Sequence, residues 1–408
     1  MNRFAIVASL FFACSPVKGT PLIDAEIVDV QSLQIAPASV PELRVGLDAP
    51  VQLSVQAMFS DGTKKDVTQY VKWSSSSANV SVDATGLATA VAAGATTITA
   101  ALGSQSATLA VTSRNAILVS GDEDEIDAVS VPSIDFFDPS ITGSNVAPIR
   151  SISGSNTGLT TLAYQAFPDL ADNELYVAAT GNGILVYPLD GSGNIAPLRT
   201  IPLGSASTLL GSVVNVALYK GELYVNAETT GDVGAVVVFD RLANGSAATP
   251  TRSITGSATT LGTTSFGLLV ANDTIYVGGV SGGSNAIVEF PTSGSGNIAP
   301  TARIGGSDVP IQEAVGLALV GDELFVGDAS SNRLFVIHDG AIVREITGPD
   351  TKLEVPAGVT VVGQSLVCVE DIAPRIDIFP LEATGDIEPT SIVGSANQML
   401  DLVQVNAY

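Results

Sequence analysis

Leu223-Tyr224-Val225, then Val236-Val237-Val238-Phe239, then Pro250-Thr251-Arg252-Ser253-Ile254: this order of three short runs decides the fold. β-Branched and aromatic residues fit a pleated, half-buried surface, and the Gly-, Asn- and Asp-rich stretches between the runs supply turns. The order recurs along the chain. Its first element returns as Leu175-Tyr176-Val177, Ile275-Tyr276-Val277, Leu324-Phe325-Val326 and Leu366-Val367-Cys368. Its second returns as Ile184 to Tyr187, Ile287 to Phe290, Leu334 to Ile337 and Ile376 to Phe379. Arg199, Arg252, Arg303 and Arg344 mark a fourth strand, and a further apolar strand precedes each copy.

Four short strands per copy, at a period of roughly 42 to 52 residues, is the size of a propeller blade and not of a helical repeat. Five copies are complete. Ahead of them, Ala116 to Ser120, Ile134-Asp135-Phe136-Phe137 and Pro148-Ile149-Arg150-Ser151-Ile152 match the second, third and fourth strands of a sixth. Its missing first strand is found at the other end of the propeller segment, in Met399-Leu400-Asp401-Leu402-Val403-Gln404-Val405. Residues 114–408 are therefore expected to form a six-bladed β-propeller closed by pairing of N- and C-terminal strands, which leaves no open sheet edge at the join.

Ahead of the repeats, Val51-Gln52-Leu53-Ser54-Val55-Gln56-Ala57 alternates apolar and polar residues, as a half-buried strand does. Asp61-Gly62 marks a turn. Ile35-x-Pro37, Phe59-Ser60-Asp61-Gly62-Thr63, Asp66-Val67-Thr68, Trp73-Ser74-Ser75, Gly86-Leu87-Ala88-Thr89-Ala90 and Thr97-Ile98-Thr99-Ala100 follow in an order that resembles the bacterial Ig-like group 2 module. The resemblance implies an Ig-like β-sandwich over residues 32–113. It also implies a spacer role, or a carbohydrate or protein ligand site. Trp73 is expected between the two sheets as core. The whole chain is thus expected to be all-β.

Met1-Asn2-Arg3 and the apolar run Phe4 to Ala13 read as a signal-peptide core, too short to span a bilayer. Ala13-Cys14 after that run resembles a bacterial lipoprotein signal, which implies lipidation of Cys14 and a membrane anchor; cleavage after Val17-Lys18-Gly19 is the competing route. Either route exports the chain, to the outer membrane or cell surface by the anchor, otherwise to the periplasm or the medium. Residues 15–31 are expected to be a tether.

With 17 basic against 41 acidic residues, the net charge of −24 repels phosphate backbones and excludes nucleic acid as a partner. Cys368, within an apolar strand, is expected to be a small buried hydrophobe. The sequence holds one histidine, His338, and one cysteine outside the leader, so His-based zinc sites and Cys-based sites are excluded. Gly279-Val280-Ser281-Gly282-Gly283 fits a nucleophile-elbow pattern, but no helical pattern follows it, so it is expected to be a loop.

Gly327-Asp328-Ala329-Ser330-Ser331-Asn332-Arg333 resembles an NHL-type repeat, with Asp328 and Arg333 expected to hydrogen-bond within the blade. Asp122, Glu123, Asp124, Glu125 and Asp127 crowd one segment, expected to be a loop, that could partly coordinate calcium. Resemblance to lactonase-like propellers implies a metal held by channel Glu, Asn and Asp; by position those are Asn215, Glu313 and Asp401. The leading expectation is a monomeric binding protein of the cell envelope, of the cell-adhesion kind. Its propeller face would serve a protein or carbohydrate ligand. The alternatives are a calcium-type, metal-dependent hydrolase or lactonase using channel carboxylates, and a structural envelope component.

Overall fold

A computed structural model describes residues 30–40, 43–44, 50–92, 94–114, 117–126, 129–138, 142–160, 163–169, 172–179, 181–204, 209–263, 265–279, 285–371, 375–393 and 400–407. Cys14 and the leader lie outside the described residues, as does Asp127. Every regular element among those described is a strand, apart from single 3-10 turns at Ser257–Thr259, Ala329–Ser331 and Pro349–Thr351.

The N-terminal module is a sandwich. Val30–Ala36, Ser54–Phe59 and Lys64–Asp66 form one sheet; Leu43–Arg44, Gln105–Arg114, Gly94–Leu102 and Lys72–Ser75 form another. A small sheet of Val51–Gln52, Leu87–Ala90 and Val80–Val82 completes it. The alternation read in the sequence is realised: Val55, Ala57 and Phe59 are buried while Gln56 and Met58 face out. Leu53, Val55, Val67, Val80 and Ile98 make the core, with Trp73 packed at its margin and partly exposed. Gly86 makes room for that ring, since a Cβ there would lie 3.0 Å from Cζ2 of Trp73. The first strand begins at Val30, so the last two residues assigned to the tether belong to the sandwich. At the other end the last strand runs through Arg114, one residue past the expected boundary.

The remaining strands form six blades. Blade I holds Leu400–Ala407, Ile117–Ile126, Val129–Phe137 and Arg150–Ser153, inner to outer. Blade II holds Ala163–Asp169, Glu174–Ala179, Gly183–Pro188 and Arg199–Ile201, and blade III holds Ser212–Tyr219, Glu222–Glu228, Gly234–Asp240 and Arg252–Thr255. Blade IV holds Leu268–Ala271, Thr274–Gly278, Ile287–Pro291 and Ala302–Ile304. Blade V holds Ala314–Val320, Glu323–Asp328, Arg333–His338 and Ala341–Ile346, and blade VI holds Pro356–Val362, Ser365–Glu370, Arg375–Pro380 and Thr390–Val393. The six inner strands neighbour one another in a closed cycle, Leu400–Ala407 lying between those of blades VI and II.

The closure is the expected one. Leu400–Ala407 pairs antiparallel with Ile117–Ile126 in the register Ile117↔Ala407, Val119↔Val405 and Asp122↔Leu400. The strand at 117–126 is longer than the sequence pattern shows, and this corrects one expectation. Asp122, Glu123, Asp124 and Glu125 are strand residues, not a loop. Glu123 sits opposite Val131 and Asp122 opposite Pro132.

Five of the six outer strands are capped by the blade that follows. The Gly/Asn-rich turn after a blade's third strand reaches back as a parallel hook onto its predecessor: Ile152↔Gly193, Ile254↔Gly296 and Ile346↔Gly385. Gly143–Ser144 does the same to Thr390–Val393, and the Gly245 N–H donates to the Thr200 carbonyl at 2.7 Å. Blade IV has no hook on its outer strand among the described residues. Blade V joins its third and fourth strands by Asp339-Gly340 alone, both at positive φ, a hairpin turn too short to reach back.

Candidate functional site at the inner-strand ends

The inner strands share a local irregularity. Pairing with the second strand slips by one residue between Ala163 and Gln165, Val213 and Asn215, Ala314 and Gly316, and Pro356 and Gly358. Each slip is a β-bulge, which bends the strand and re-aims the residue after it. In blades II and III that residue is an amide. Gln165 Oε1 accepts from the Val216 N–H at 2.8 Å, and Asn215 Nδ2 donates to the Phe266 carbonyl at 3.0 Å. Asn226 Nδ2 donates to the Ser265 carbonyl at 2.6 Å. All three amides are buried, and each ties its blade to the next.

In blades V and VI the residue after the bulge is glycine, and backbone meets backbone. A Cβ on Gly316 would lie 2.6 Å from the Val359 nitrogen, and one on Gly278 of blade IV would lie 2.4 Å from the Ala314 carbonyl oxygen. Carboxylates hold the adjoining loops. Asp328, fully buried, accepts from the N–H groups of Gln312 at 2.9 Å and Glu313 at 2.5 Å, and from Ser331 Oγ at 2.8 Å. Glu370 Oε2 accepts from the Glu354 and Val355 N–H groups at 2.8 and 2.9 Å. Burial, reinforced by the Asp377 carboxylate, pushes Glu370 up to about 7 despite those two donors. Asp377 is raised by burial as well, against the opposing pull of Ser391 and Arg375. Burial also lifts the Cys368 thiol well above its ordinary value, so it stays protonated.

The ring brings the three channel candidates to one end of alternate blades. Asn215 is near the start of the inner strand of blade III, Glu313 just ahead of that of blade V, and Asp401 is the second residue of Leu400–Ala407. Asn215 is spent as a clasp between blades, whereas Glu313 is partly exposed and its carboxylate accepts from Ser330 Oγ at 2.5 Å. Asp328 and Arg333 act within blade V, but separately: Arg333 Nη1 pairs with Glu345 at 2.8 Å. Cys368 is buried in the blade core as expected. Of the nucleophile-elbow segment, Gly279 follows a strand end, and residues 280–283 lie outside those described.

Sequence reading missed Gln165, Asn226 and Glu370. Two of them carry a signal, a polar residue at the same place in a neighbouring copy: Gln165 matches Asn215 and Glu370 matches Asp328, whereas Asn226 stands where other copies have Ala178, Gly327 and Val369.

Residues 29–113 match the family described as Bacterial Ig-like domain (group 2). The chain therefore carries such a module, followed by a β-propeller. Ice-binding protein 1 of Shewanella frigidimarina (strain NCIMB 400) is 39% identical over 118 residues, which is 28% of this chain and 13% of that protein. The chain thus spans a small part of that relative's length. Among solved structures, a chain of a nidogen/laminin complex superposes with a TM-score of 0.50 at 13% identity, covering 72% of this chain and 98% of its own. The WD40 β-propeller domain of Doa1 gives 0.43 at 10% identity, covering 69% and 88%. At such identity the nidogen/laminin likeness speaks of fold alone.

Proposed function

We propose that the protein is an exported binding protein of the cell envelope, whose propeller face receives a protein or carbohydrate ligand while the Ig-like module spaces it from its attachment. One observation carries the reading. The buried amides and carboxylates at the inner-strand ends (Gln165, Asn215, Asn226, Asp328 and Glu370) are committed to holding neighbouring blades and loops. A face fixed in this way is pre-organised, which lowers the ordering cost of binding. Similarity to a protein named for binding ice supports a binding role over a catalytic one.

The test is a glycan and peptide array probed with the full chain, followed by hydrogen-exchange footprinting of each hit. Protection is expected in the loops leading into the inner strands, around residues 209–211, 265–267, 309–313 and 353–355. Protection confined to the sandwich, or calcium-dependent turnover of a lactone, would sink the reading.

A further inference from the structure

The seam between blades IV and V departs from its neighbours in three ways that coincide. The first is a missing arginine. Arg199 stands opposite Val186, Arg252 opposite Val238 and Arg344 opposite Val336. Each guanidinium lies over the ring of its blade's second strand, Tyr176, Tyr224 or Phe325. Each also pairs with the carboxylate that opens that strand: Glu174, Glu222 or Glu323, all at 2.5 Å. Each then reaches a carbonyl of the next blade, Arg241, Thr292 or Leu381. In blade IV the corresponding position is Ala302, opposite Glu289. Arg303, which the sequence pattern aligns with the other arginines, stands one place on, opposite Val288.

The second departure is a relocated carboxylate. Thr274 replaces the glutamate at the head of the second strand, and Glu289 replaces the valine facing the slot. In blades II and III the arginine beside Glu174 or Glu222 holds the carboxyl below its ordinary range. Glu289 is held above it, by burial alone. The third is the absent hook: among the described residues nothing pairs with the outer edge of Ala302–Ile304. The slot opens into a cavity of about 260 Å³ lined by Tyr276, Glu289, Ile304, Asp322, Leu324 and Asp339, among others; the cavity at the same place between blades II and III, about 430 Å³, does not reach Tyr176 or Glu174.

Blade VI shows how this slot looks when it is simply closed. It also lacks the arginine, with Thr390 opposite Ile378, but Val367, Ile378 and Val146 fill the space and Gly143–Ser144 covers the edge. Blade IV keeps the tyrosine, adds a carboxylate and has no cover on its edge among the described residues.

We propose that this seam is a binding site for a guanidinium group: an arginine on an extended segment of a partner protein enters the slot that Arg199, Arg252 and Arg344 fill from within their own blades. The partner's backbone would lie along Ala302–Ile304 as the hooks lie along the other outer strands, the mode of β-strand addition. A planar fork suits a carboxylate beside an aromatic face, as those three blades show. The site lies beside the turns that follow the inner strands of blades IV and V, at Asn272 and Gly321, at the other end of the blades from the loops that lead into those strands, so it stands or falls independently of the reading above.

The test uses the full chain and two labelled probes, acetyl-Gly-Ser-Gly-Arg-amide and the same peptide with citrulline, which keeps the shape and removes the charge. The arginine peptide is expected to bind at least tenfold tighter, with chemical-shift changes at Tyr276 and Glu289. Glu289→Gln is expected to erase that difference. Ala302→Arg supplies the guanidinium internally, so it is expected to raise Tm and abolish binding. The proposal is overturned if the arginine peptide does not bind at millimolar concentration, if citrulline binds equally well, or if E289Q leaves the tenfold preference intact.

Discussion

Blades II and III and blades V and VI carry the same bulge in their inner strands, yet each pair joins the blade that follows it by different chemistry. On one side buried amides reach across: Gln165 to Val216, Asn215 to Phe266, Asn226 to Ser265. On the other side glycines bring the chains into direct contact at Gly278, Gly316 and Gly327. A β-bulge leaves ladder groups unpaired, and a buried unpaired group costs free energy. An amide answers that groups go unmet by supplying a partner; a glycine answers by letting the neighbouring backbone come close enough. The two answers fail differently when mutated.

The glycine side has no slack. Gly278→Ala places a methyl group 2.4 Å from the Ala314 carbonyl oxygen, and that oxygen is backbone, so relief requires the blades to part. We expect a loss of about 3 kcal/mol by urea unfolding. A loss below about 0.5 kcal/mol would show that this side is as adaptable as the other. The amide side keeps its spacing when an amide is lost, and the cost is one unpaired buried carbonyl. Asn226→Ala is therefore expected to cost about 2 kcal/mol, and Asn226→Asp more, because a carboxylate cannot donate to the Ser265 carbonyl.

Acidity separates the two sides further. Glu370, in blade VI, has its folded pKa raised above the unfolded one, to about 7. A carboxyl shifted that way binds its proton more tightly when folded. Its stabilising contribution is complete below its unfolded pKa and is lost as pH rises through the folded value. Glu370→Gln keeps an oxygen for the Glu354 and Val355 N–H groups and removes the titration. The Tm of the wild type is expected to fall relative to E370Q between pH 5 and pH 8. Parallel Tm curves for the two proteins over that range would remove the buried carboxyl from the account.

Much of the ring was legible because its determinants are local. Blade strands carry period, turn residues and β-branched runs, so the copies and their count follow from residues that lie near one another in sequence, and the closure through Leu400–Ala407 follows from the strand that the incomplete first copy lacks. The seams were not, because they depend on register, which the pattern of residue types does not show even between neighbouring strands. One residue of register separates Arg303 from the place Arg252 holds, and that shift is invisible until Glu289 is seen opposite Ala302. The acidic run at Asp122 to Glu125 misled for the same reason. Charge density reads as a loop, yet pairing with Val129–Phe137 and Leu400–Ala407 carries the strand through it. Asn215, chosen as a channel residue from position alone, turned out to face a neighbour's carbonyl.

The mildest test concerns what does not hold the ring. Lys220 and Asp273 join blades III and IV at 2.6 Å, but both side chains are 65% exposed. Water already solvates both groups well, and ordering the lysine chain offsets what attraction remains. Arg252 and Glu222, within blade III, are shielded by comparison, at 17% and 33% exposure. Arg252→Ala is expected to lower Tm by a few degrees, at about 1 kcal/mol after discounting the exposed side of the glutamate. Lys220→Ala is expected to leave Tm unchanged at physiological salt. If K220A instead lowered Tm as far as Asn226→Ala does, the ring would be held from its rim, and the contrast between amide and glycine seams would describe geometry without describing stability.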